Sequence, residues 1–380
     1  MKIRWVVLVM SVLILIMPTI EICATEFDFT AESIILMEAE TGTVLYEKNA
    51  DTPLPPASVT KIMTLLLIME ALDQGRFELT DKVNISENAA NMGGSQVYLE
   101  AGEQMCVDEL IKCVVVASAN DAAAALAEFC CGSEEAFVEQ MNLRAKELGM
   151  INTHFENTNG LDDTTTAHLM SARDIAIMSR ELLKHKKIFD YTNIWMDTIR
   201  DGSFGLTNTN RLIRFYKGAN GLKTGSTSKA GFCISATAKR DDMQLIAVIM
   251  ASPTRDDRNS TAVKLLDYGF SQYAFYQDTG KELDNTTISV KKGLVDTVTI
   301  AVADPIKKLI NKTDKGKIEK TITLYDNLQA PVEKGQKVGQ ILYTLNGENI
   351  GSVDILAQNS VEKIKFTELF KIALKNLAII

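Results

Sequence analysis

Residues 55–61 read PPASVTK, and residues 62–69, IMTLLLIM, are almost wholly apolar. The apolar run predicts a buried helix, on which Ser58 and Lys61 would lie on the same side, one turn of ~3.6 residues apart. A hydroxyl in contact with an amine is the arrangement of an activated nucleophile. The pair also suits an ordinary helix start, because serine is a common N-cap, and S-x-x-K occurs three more times in the chain. Its meaning therefore depends on the remaining sequence.

The composition is that of a globular protein with ample apolar content. The chain has 380 residues, 46% of them hydrophobic, and a formal net charge of −9. This length allows two domains. Because phosphate binding depends on clustered cations, the acidic balance argues against a nucleic-acid partner.

The first 24 residues form a separate segment. Lys2 and Arg4 precede an apolar run over residues 5–17, and Ile22-Cys23-Ala24 offers a cleavage site before Thr25. This pattern is typical of a signal peptide, so we expect the body of the protein to be exported. An uncleaved anchor is the alternative, although the run is shorter than the ~20 residues of a spanning helix.

The cysteines and histidines do not indicate a disulfide framework or a metal. Five cysteines follow residue 24, an odd number, and Cys106 and Cys113 would lie roughly 10 Å apart along one helix. We expect most of the cysteines to be small buried apolar residues. The three histidines lack H-E-x-x-H or H-x-x-E-H spacing, and no C-x-x-C pair occurs. We therefore expect no metal site and no cofactor.

The patterns along the chain predict a sheet with helices packed on it. A hairpin is predicted over residues 33–38 and 43–48, and two later strands over 231–239 and 243–251. Helical patterns cover residues 59–72, 107–117, 122–130, 134–148, 172–183 and 257–273.

The character of the sequence changes near Tyr276. Short β-type runs separated by lysine, glycine and proline turns predict a small all-β domain up to about Ser360. These runs cover residues 286–290, 297–302, 320–325, 338–345 and 350–356. Residues 366–380 show apolar positions at i, i+3 and i+4, which predicts an amphipathic helix. This helix either packs on the β domain or lies in a membrane interface, since it is too short to span a bilayer.

Two further motifs follow Ser58 and Lys61 in order. Ser118-Ala119-Asn120 stands at a break between two helices, and Lys223-Thr224-Gly225, which occurs once in the chain, is predicted to begin a strand. Together they resemble the S-x-x-K, S-x-N and K-T-G set of penicillin-binding proteins and class A β-lactamases. With NMGGSQVYL at 91–99, NTNGLDD at 157–163 and the added β domain, the chain resembles the D-alanyl-D-alanine carboxypeptidases.

The resemblance implies an α+β fold of the penicillin-binding and β-lactamase type. It divides the chain into a signal peptide (1–24), a DD-peptidase domain (25–275), a smaller β-rich domain (276–360) and an amphipathic membrane-anchor helix (361–380). Because this family is exported, it implies a location on the outer face of the cytoplasmic membrane, on the cell-wall side.

The resemblance also implies roles for the motif residues. Ser58 would be the nucleophile, and Lys61 its base, with a pKa lowered by burial and by Lys223. Ser118 would relay a proton to the leaving amine, and Asn120 would hold the substrate amide and orient Lys61. The backbone N–H groups of Ser58 and Ser226 would form the oxyanion hole. Lys223 and the substrate-binding residues would bind the terminal carboxylate and the peptide: Thr224, Gly225, Ser226, Thr227 and Arg211.

The implied function is a serine DD-carboxypeptidase that removes the terminal D-alanine from peptidoglycan stem peptides and is acylated by β-lactams. Two alternatives remain. A β-lactamase would need a glutamate to activate water for deacylation, and Glu156 is the nearby candidate, although its spacing departs from the class A pattern. A non-catalytic penicillin-binding sensor is the other alternative, which an intact set of three motifs does not favour.

Overall fold

A computed structural model describes residues 27–163 and 165–377. The predicted signal peptide, residues 1–24, lies outside the described residues. Among those described, no helix has both the length and the apolar character needed to cross a bilayer.

The described strands fall into two principal five-stranded sheets and three two-stranded ribbons. In chain order they are β1 (Ser33–Glu38), β2 (Val44–Lys48), β3 (Lys82–Asn84), β4 (Gln104–Cys106), β5 (Met196–Ile199), β6 (Phe204–Thr207), β7 (Ala219–Thr227), β8 (Gly231–Arg240), β9 (Met243–Ser252), β10 (Tyr273–Asp278), β11 (Thr287–Ser289), β12 (Thr297–Val302), β13 (Ile306–Asn311), β14 (Ile318–Leu324), β15 (Lys337–Leu345) and β16 (Glu348–Ala357).

The described helices lie mainly between β2 and β10. In chain order they are α1 (Lys61–Asp73), α2 (Glu87–Ala90), α3 (Val107–Lys112), α4 (Asn120–Cys131), α5 (Glu134–Glu147), α6 (Ala172–Leu182), α7 (Phe189–Thr192), α8 (Leu212–Phe215), α9 (Arg255–Gln272) and α10 (Phe366–Leu377).

The first sheet is antiparallel, in the order β2-β1-β9-β8-β7. Its central strands are apolar on both faces because helices cover both. Ile246 and Val248 of β9 join the core that also contains α1, whereas Leu245, next to Ile246 on the opposite face, packs against Gly269 of α9. This arrangement leaves β7 at the edge of the sheet, next to the turn that carries Ser58.

The second sheet, in the order β11-β12-β16-β15-β14, has its own apolar core. Val298, Ile341 and Tyr343 are fully buried there. The ribbon of β10 and β13 precedes it, and β10 runs across the predicted change of character at Tyr276. The predicted fold class, an α+β domain with a smaller all-β domain and a C-terminal helix, is confirmed.

Two local predictions need correction, and several strands were not predicted. Lys223-Thr224-Gly225 lies in the middle of β7 and does not begin it, because the weak strand formers of residues 219–221 are held extended by pairing with β8. The helix predicted over 107–117 is α3 followed by a π-helical segment, Cys113–Ala117. Strands β5, β6 and β13 are short or largely exposed, and the sequence pattern did not indicate them.

Candidate active site

Ser58 lies in a single 3-10 turn, Ala57–Thr60, and α1 begins at Lys61. The serine side chain does not cap α1, whose N-cap residue is Thr60. Lys61 Nζ lies 2.9 Å from Ser58 Oγ, as the three-residue spacing predicts. The pairing of hydroxyl and amine is therefore observed, and the capping interpretation does not account for it.

Lys61 is completely buried among polar partners. Its Nζ donates to Asn120 Oδ1 at 2.5 Å and to the Asn159 carbonyl at 2.8 Å, and it lies 2.9 Å from Ser58 Oγ. Burial, together with repulsion from Lys223, holds the pKa of Lys61 well below its usual range, while Asp121 opposes the shift. A neutral amine keeps two N–H donors for the asparagine oxygens and turns its lone pair to the Ser58 hydroxyl.

Ser118 is presented by an irregular helix end. The π-helical segment stops at Ser118, which has a left-handed conformation with φ of 62°. Lys223 Nζ donates to Ser118 Oγ at 2.8 Å. The N-cap residue of the following helix, α4, is Ala119, so Ser118 is not the cap of that helix. A π segment of this kind often marks a functional position.

Asn120 and Asp121 fasten the 91–99 stretch beside the site. The Asn120 amide Nδ2 donates to the Gly93 carbonyl at 2.7 Å, and its backbone N–H donates to the Ser95 carbonyl at 2.7 Å. The buried Asp121 carboxylate accepts the N–H groups of Val97 and Leu99. The NMGGSQVYL stretch thus forms one wall of the site.

Lys223 is almost fully buried on β7. Burial and the neighbouring Arg258 charge lower the pKa of Lys223 to about 7. Two residues on, a Cβ at Gly225 would lie 2.8 Å from the Ser58 backbone nitrogen and 2.9 Å from the Pro56 carbonyl. Glycine is thus required for β7 to approach the backbone of the nucleophile turn.

His168 stabilises the turn that carries Ser58 through a hydrogen bond to Thr60. Its Nδ1 accepts the Glu156 N–H at 3.0 Å, so Nε2 carries the proton and donates to Thr60 Oγ1 at 2.8 Å, which in turn donates to the Ala57 carbonyl. Burial lowers the pKa of His168 to about 4, which keeps the ring neutral.

A cavity of about 210 Å³ opens between these elements. Its lining residues come from all three motifs and from three segments outside them: Ser58, Ser95, Ser118, Thr209, Thr224, Gly225, Ser226, Arg255 and Arg258. A larger cavity of about 570 Å³, around Glu38, Arg180 and Phe189, holds no motif residue.

Two predicted substrate-binding side chains lie differently from expectation. Arg211 is exposed just before α8 and does not line the cavity. The Thr227 hydroxyl donates its proton to the Asp162 carboxylate, so in this structure it does not donate into the cavity.

The arginines that line the cavity, Arg255 and Arg258, were not predicted. Arg258 is buried in the first turn of α9, where its guanidinium donates to Asn259 Oδ1 and to the Cys233 carbonyl. The sequence signal was an arginine at the start of a helix after a buried strand. Sheet pairing, which the sequence does not specify, brings it to Lys223.

Glu156 is bound to a neighbouring loop. Its carboxylate accepts the backbone N–H groups of Thr166 at 2.8 Å and Ala167 at 3.2 Å. The bond from Ala167 is the main cause that lowers the pKa of Glu156.

Within the described residues, no group of three or more His, Cys, Asp and Glu side chains could hold a metal ion. All five described cysteines are free, and three of them are buried.

Comparison with known families gives two matches. Residues 20–254 match the family described as D-alanyl-D-alanine carboxypeptidase. Residues 270–363 match the family described as penicillin-binding protein 5, C-terminal domain.

Individual relatives agree. The chain is 44% identical, over 351 residues, to the D-alanyl-D-alanine carboxypeptidase DacF of Bacillus subtilis, covering 91% of this chain and 90% of the relative. Penicillin binding protein 5 from Haemophilus influenzae is similar in structure, with a TM-score of 0.71 and 32% identity over 90% of this chain and all of that one. Penicillin-binding protein D2 from Listeria monocytogenes, solved in an ampicillin-bound form, has a TM-score of 0.59 and 30% identity and covers 64% of this chain and 99% of its own.

Proposed function

This chain belongs to the D-alanyl-D-alanine carboxypeptidase family, and we propose that it removes the terminal D-alanine from peptidoglycan stem peptides through an acyl-enzyme on Ser58. One observation carries the proposal. The Ser58 hydroxyl is 2.9 Å from a buried amine whose pKa is depressed, beside a cavity that also presents Ser118 and Arg258.

Acylation begins with neutral Lys61. Its lone pair takes the Ser58 proton as Oγ attacks the carbonyl carbon of the penultimate D-alanine. The oxyanion that forms is stabilised by the backbone N–H groups of Ser58 and Ser226, donors that are fixed before the reaction. Because Gly225 lets β7 approach the Ser58 turn closely, both donors border the same cavity.

The tetrahedral intermediate then loses D-alanine. The bond between carbonyl carbon and nitrogen breaks, and the proton that Lys61 took from Ser58 passes through the Ser118 hydroxyl, which also accepts a hydrogen bond from Lys223, to the leaving amine, so Lys61 is neutral again. In the second half of the reaction, Lys61 removes a proton from water. The hydroxide attacks the ester, and Ser58 recovers its proton.

The substrate carboxylate is bound at the cationic end of the cavity. Lys223, in its ammonium form, and Arg258 supply the donors, since the guanidinium is buried and borders the cavity. The Thr224 hydroxyl also borders the cavity but donates to Thr209 Oγ1. A peptide without a free terminal carboxylate would leave these cations uncompensated, which favours carboxypeptidase over endopeptidase action.

β-Lactams would acylate Ser58 in the same way, because their carboxylate and strained amide resemble the peptide terminus. The ester should persist, since the Glu156 carboxylate is bound to the Thr166 and Ala167 backbone. Glu156 is therefore not free to activate water for the rapid hydrolysis that the β-lactamase alternative requires.

We further propose that the protein is exported and attached to the outer face of the cytoplasmic membrane by α10. Two features support this: the signal-peptide pattern of residues 1–24 and the exposed apolar side chains at the start of α10. Phe366, Leu369 and Phe370 are 80%, 52% and 57% exposed. Exposed apolar side chains over the described first turns of a helix favour an interfacial location.

One assay tests the enzymatic proposal. Purified residues 25–380 are incubated with a diacetyl-Lys-D-Ala-D-Ala peptide and, separately, with benzylpenicillin. Release of D-alanine together with a stable penicilloyl adduct at Ser58 is the expected result. Rapid penicillin turnover would favour a β-lactamase instead, and the absence of D-alanine release would contradict the proposal.

A further inference from the structure

The β domain carries a second exposed apolar feature, at the tip of the loop between β11 and β12. Leu294 and Val295 are 52% and 51% exposed, side by side. We call residues 291–296 the 291–296 loop. Adjacent exposed aliphatic side chains at a loop tip cost solvation free energy unless they have a partner.

This loop is hydrogen-bonded to the segment that leads into α10. The Leu294 N–H donates to the Glu362 carbonyl at 2.7 Å, and the Ile364 N–H donates to the Lys292 carbonyl at 3.0 Å. Gly293 and Lys363 form an antiparallel bridge between these bonds. The loop and the segment are thus joined by a short antiparallel β-pairing between residues 292–294 and 362–364, which we call the zipper.

The loop is also closed and closely packed. Its ends are joined by the Val290 N–H, which donates to the Asp296 carbonyl at 2.8 Å. A Cβ at Gly293 would lie 2.4 Å from the Val295 carbonyl oxygen and 2.7 Å from a methyl of Val361. The backbone is therefore held in place, and the two apolar side chains stay on the outside.

The zipper places the loop tip near the start of α10. Phe366 follows Lys363 by three residues, a span of at most about 11 Å of extended chain. The loop is thus joined to the chain three residues before the exposed apolar side chains of α10 begin. Both belong to the membrane-facing surface if α10 lies in the interface.

The charge of this surface complements an anionic bilayer. Residues 291–296 and 362–371 contain five lysines and three carboxylates, a net charge of +2, whereas the whole chain has −9. Lysines that flank apolar residues suit the headgroup region of an anionic membrane.

We propose that the 291–296 loop is a second membrane contact, with Leu294 and Val295 inserted among the headgroups of an anionic bilayer beside α10. The proposal rests on the membrane attachment proposed above. A helix alone would leave the β domain free to pivot. Two contacts joined by the zipper fix its orientation, with the β11–β12 edge of the sheet towards the lipid.

The test measures binding of the full mature chain to phosphatidylglycerol–phosphatidylcholine vesicles by sedimentation. The double variant Leu294→Ser/Val295→Ser should bind roughly tenfold or more weakly than the parent, since two apolar side chains no longer leave water. The matched control is Ile322→Ser, because Ile322 is also exposed but lies on β14, at the opposite edge of the same sheet. It should bind like the parent, and carboxypeptidase activity should be unchanged in both variants.

A second measurement reports insertion directly. In Leu294→Trp, added tryptophan emission should be quenched by lipids with brominated acyl chains, whereas Ile322→Trp should show no added quenching. Equal vesicle binding by the parent and the double variant, without quenching at position 294, overturns the loop contact and leaves attachment by α10 intact. A parent chain that fails to bind vesicles overturns both.

Discussion

The side chains of Lys223 and Ser118 are hydrogen-bonded at 2.8 Å although they are 105 residues apart in the chain. The contact joins the edge strand of the sheet to the irregular end of a helix. Because burial and Arg258 lower the pKa of Lys223 to about 7, the Lys223 amine in this contact gains or loses its charge near neutral pH. The pH dependence of catalysis therefore reports directly on the site.

We predict a bell-shaped pH profile of kcat/KM for a carboxylate-bearing peptide. On the acid side the rate rises as Lys61 loses its proton and becomes a base. On the alkaline side it falls above about pH 7, because the pKa of Lys223 is about 7 in the free enzyme and the neutral amine no longer attracts the carboxylate. The alkaline limb of kcat should lie higher, since a bound carboxylate raises the pKa of Lys223.

The Lys223→Arg variant tests whether deprotonation of Lys223 causes the alkaline limb. A guanidinium stays charged, so the alkaline limb should disappear even if the overall rate is reduced. Lys229→Arg is the matched control, because Lys229 lies just beyond β7 and is exposed, and its profile should match the parent. An unchanged alkaline limb in Lys223→Arg would remove Lys223 from this role.

Ser58→Ala should abolish both D-alanine release and covalent penicillin labelling. The side chain caps no helix and takes part in one hydrogen bond, so the free energy of unfolding should fall by only about 1 kcal/mol. Mass spectrometry of the penicillin adduct and thermal unfolding measure the two effects.

The Ser86→Ala variant should show the opposite of Ser58→Ala, a loss of stability without a loss of activity. Ser86 begins a second S-x-N sequence, and its hydroxyl caps α2 by accepting the Ala89 N–H at 2.9 Å. This variant should lose roughly 0.5–2 kcal/mol of stability and keep its activity. Labelling that survives in Ser58→Ala would exclude that serine as nucleophile.

Arg258→Gln should raise KM for the peptide by about ten- to a hundredfold, since a charge-assisted hydrogen bond contributes roughly 1.5–3 kcal/mol. It should also move the alkaline limb to higher pH, because the Arg258 charge is one of the causes that lower the pKa of Lys223. Arg211→Gln, at an exposed position outside the cavity, is the control and should change neither quantity. If Arg211→Gln raised KM more than Arg258→Gln does, Arg211 would be the arginine that binds the substrate carboxylate, as the sequence predicted.

These arginines show where sequence reasoning stops. The three motifs could be predicted to meet because their order along the chain resembles a known set. Arg258 is brought to the cavity only by the order of β7, β8 and β9 and by the start of α9. Nothing local in the sequence distinguishes it from Arg211.

More of the fold than of the site could be predicted from the sequence. Strong periodicity gave α6 to within one residue, from 172–183 predicted to Ala172–Leu182 observed. The polar and glycine-containing start of β7 was missed, because its extended conformation depends on pairing with β8 and not on its own residues. The π-helical turn before Ser118 likewise has no periodic signal.

Glu156→Gln tests the β-lactamase alternative. The carboxylate is bound to backbone N–H groups of the 165–167 loop, so we expect the penicilloyl ester to decay at the same slow rate in variant and parent. A small loss of stability is expected, since the neutral amide accepts these hydrogen bonds less strongly. The decay of the labelled protein over time, followed by mass spectrometry, measures the rate. A marked slowing in the variant would mean that Glu156 activates the deacylating water.

A chain that ends at Lys365 tests the attachment by α10. Phe366, Leu369 and Phe370 are mostly exposed, so removing them uncovers little core, and the shortened chain should stay folded with full carboxypeptidase activity. Because several apolar side chains would otherwise enter the interface, the full mature chain should sediment with phosphatidylglycerol-containing vesicles and the shortened chain should bind at least about a hundredfold more weakly. The residual binding that the 291–296 loop provides should weaken at high salt, since the lysines near the surface supply part of it and apolar insertion is not screened. If the shortened chain binds as well as the full one, or unfolds, α10 is a structural part of the β domain and not an anchor.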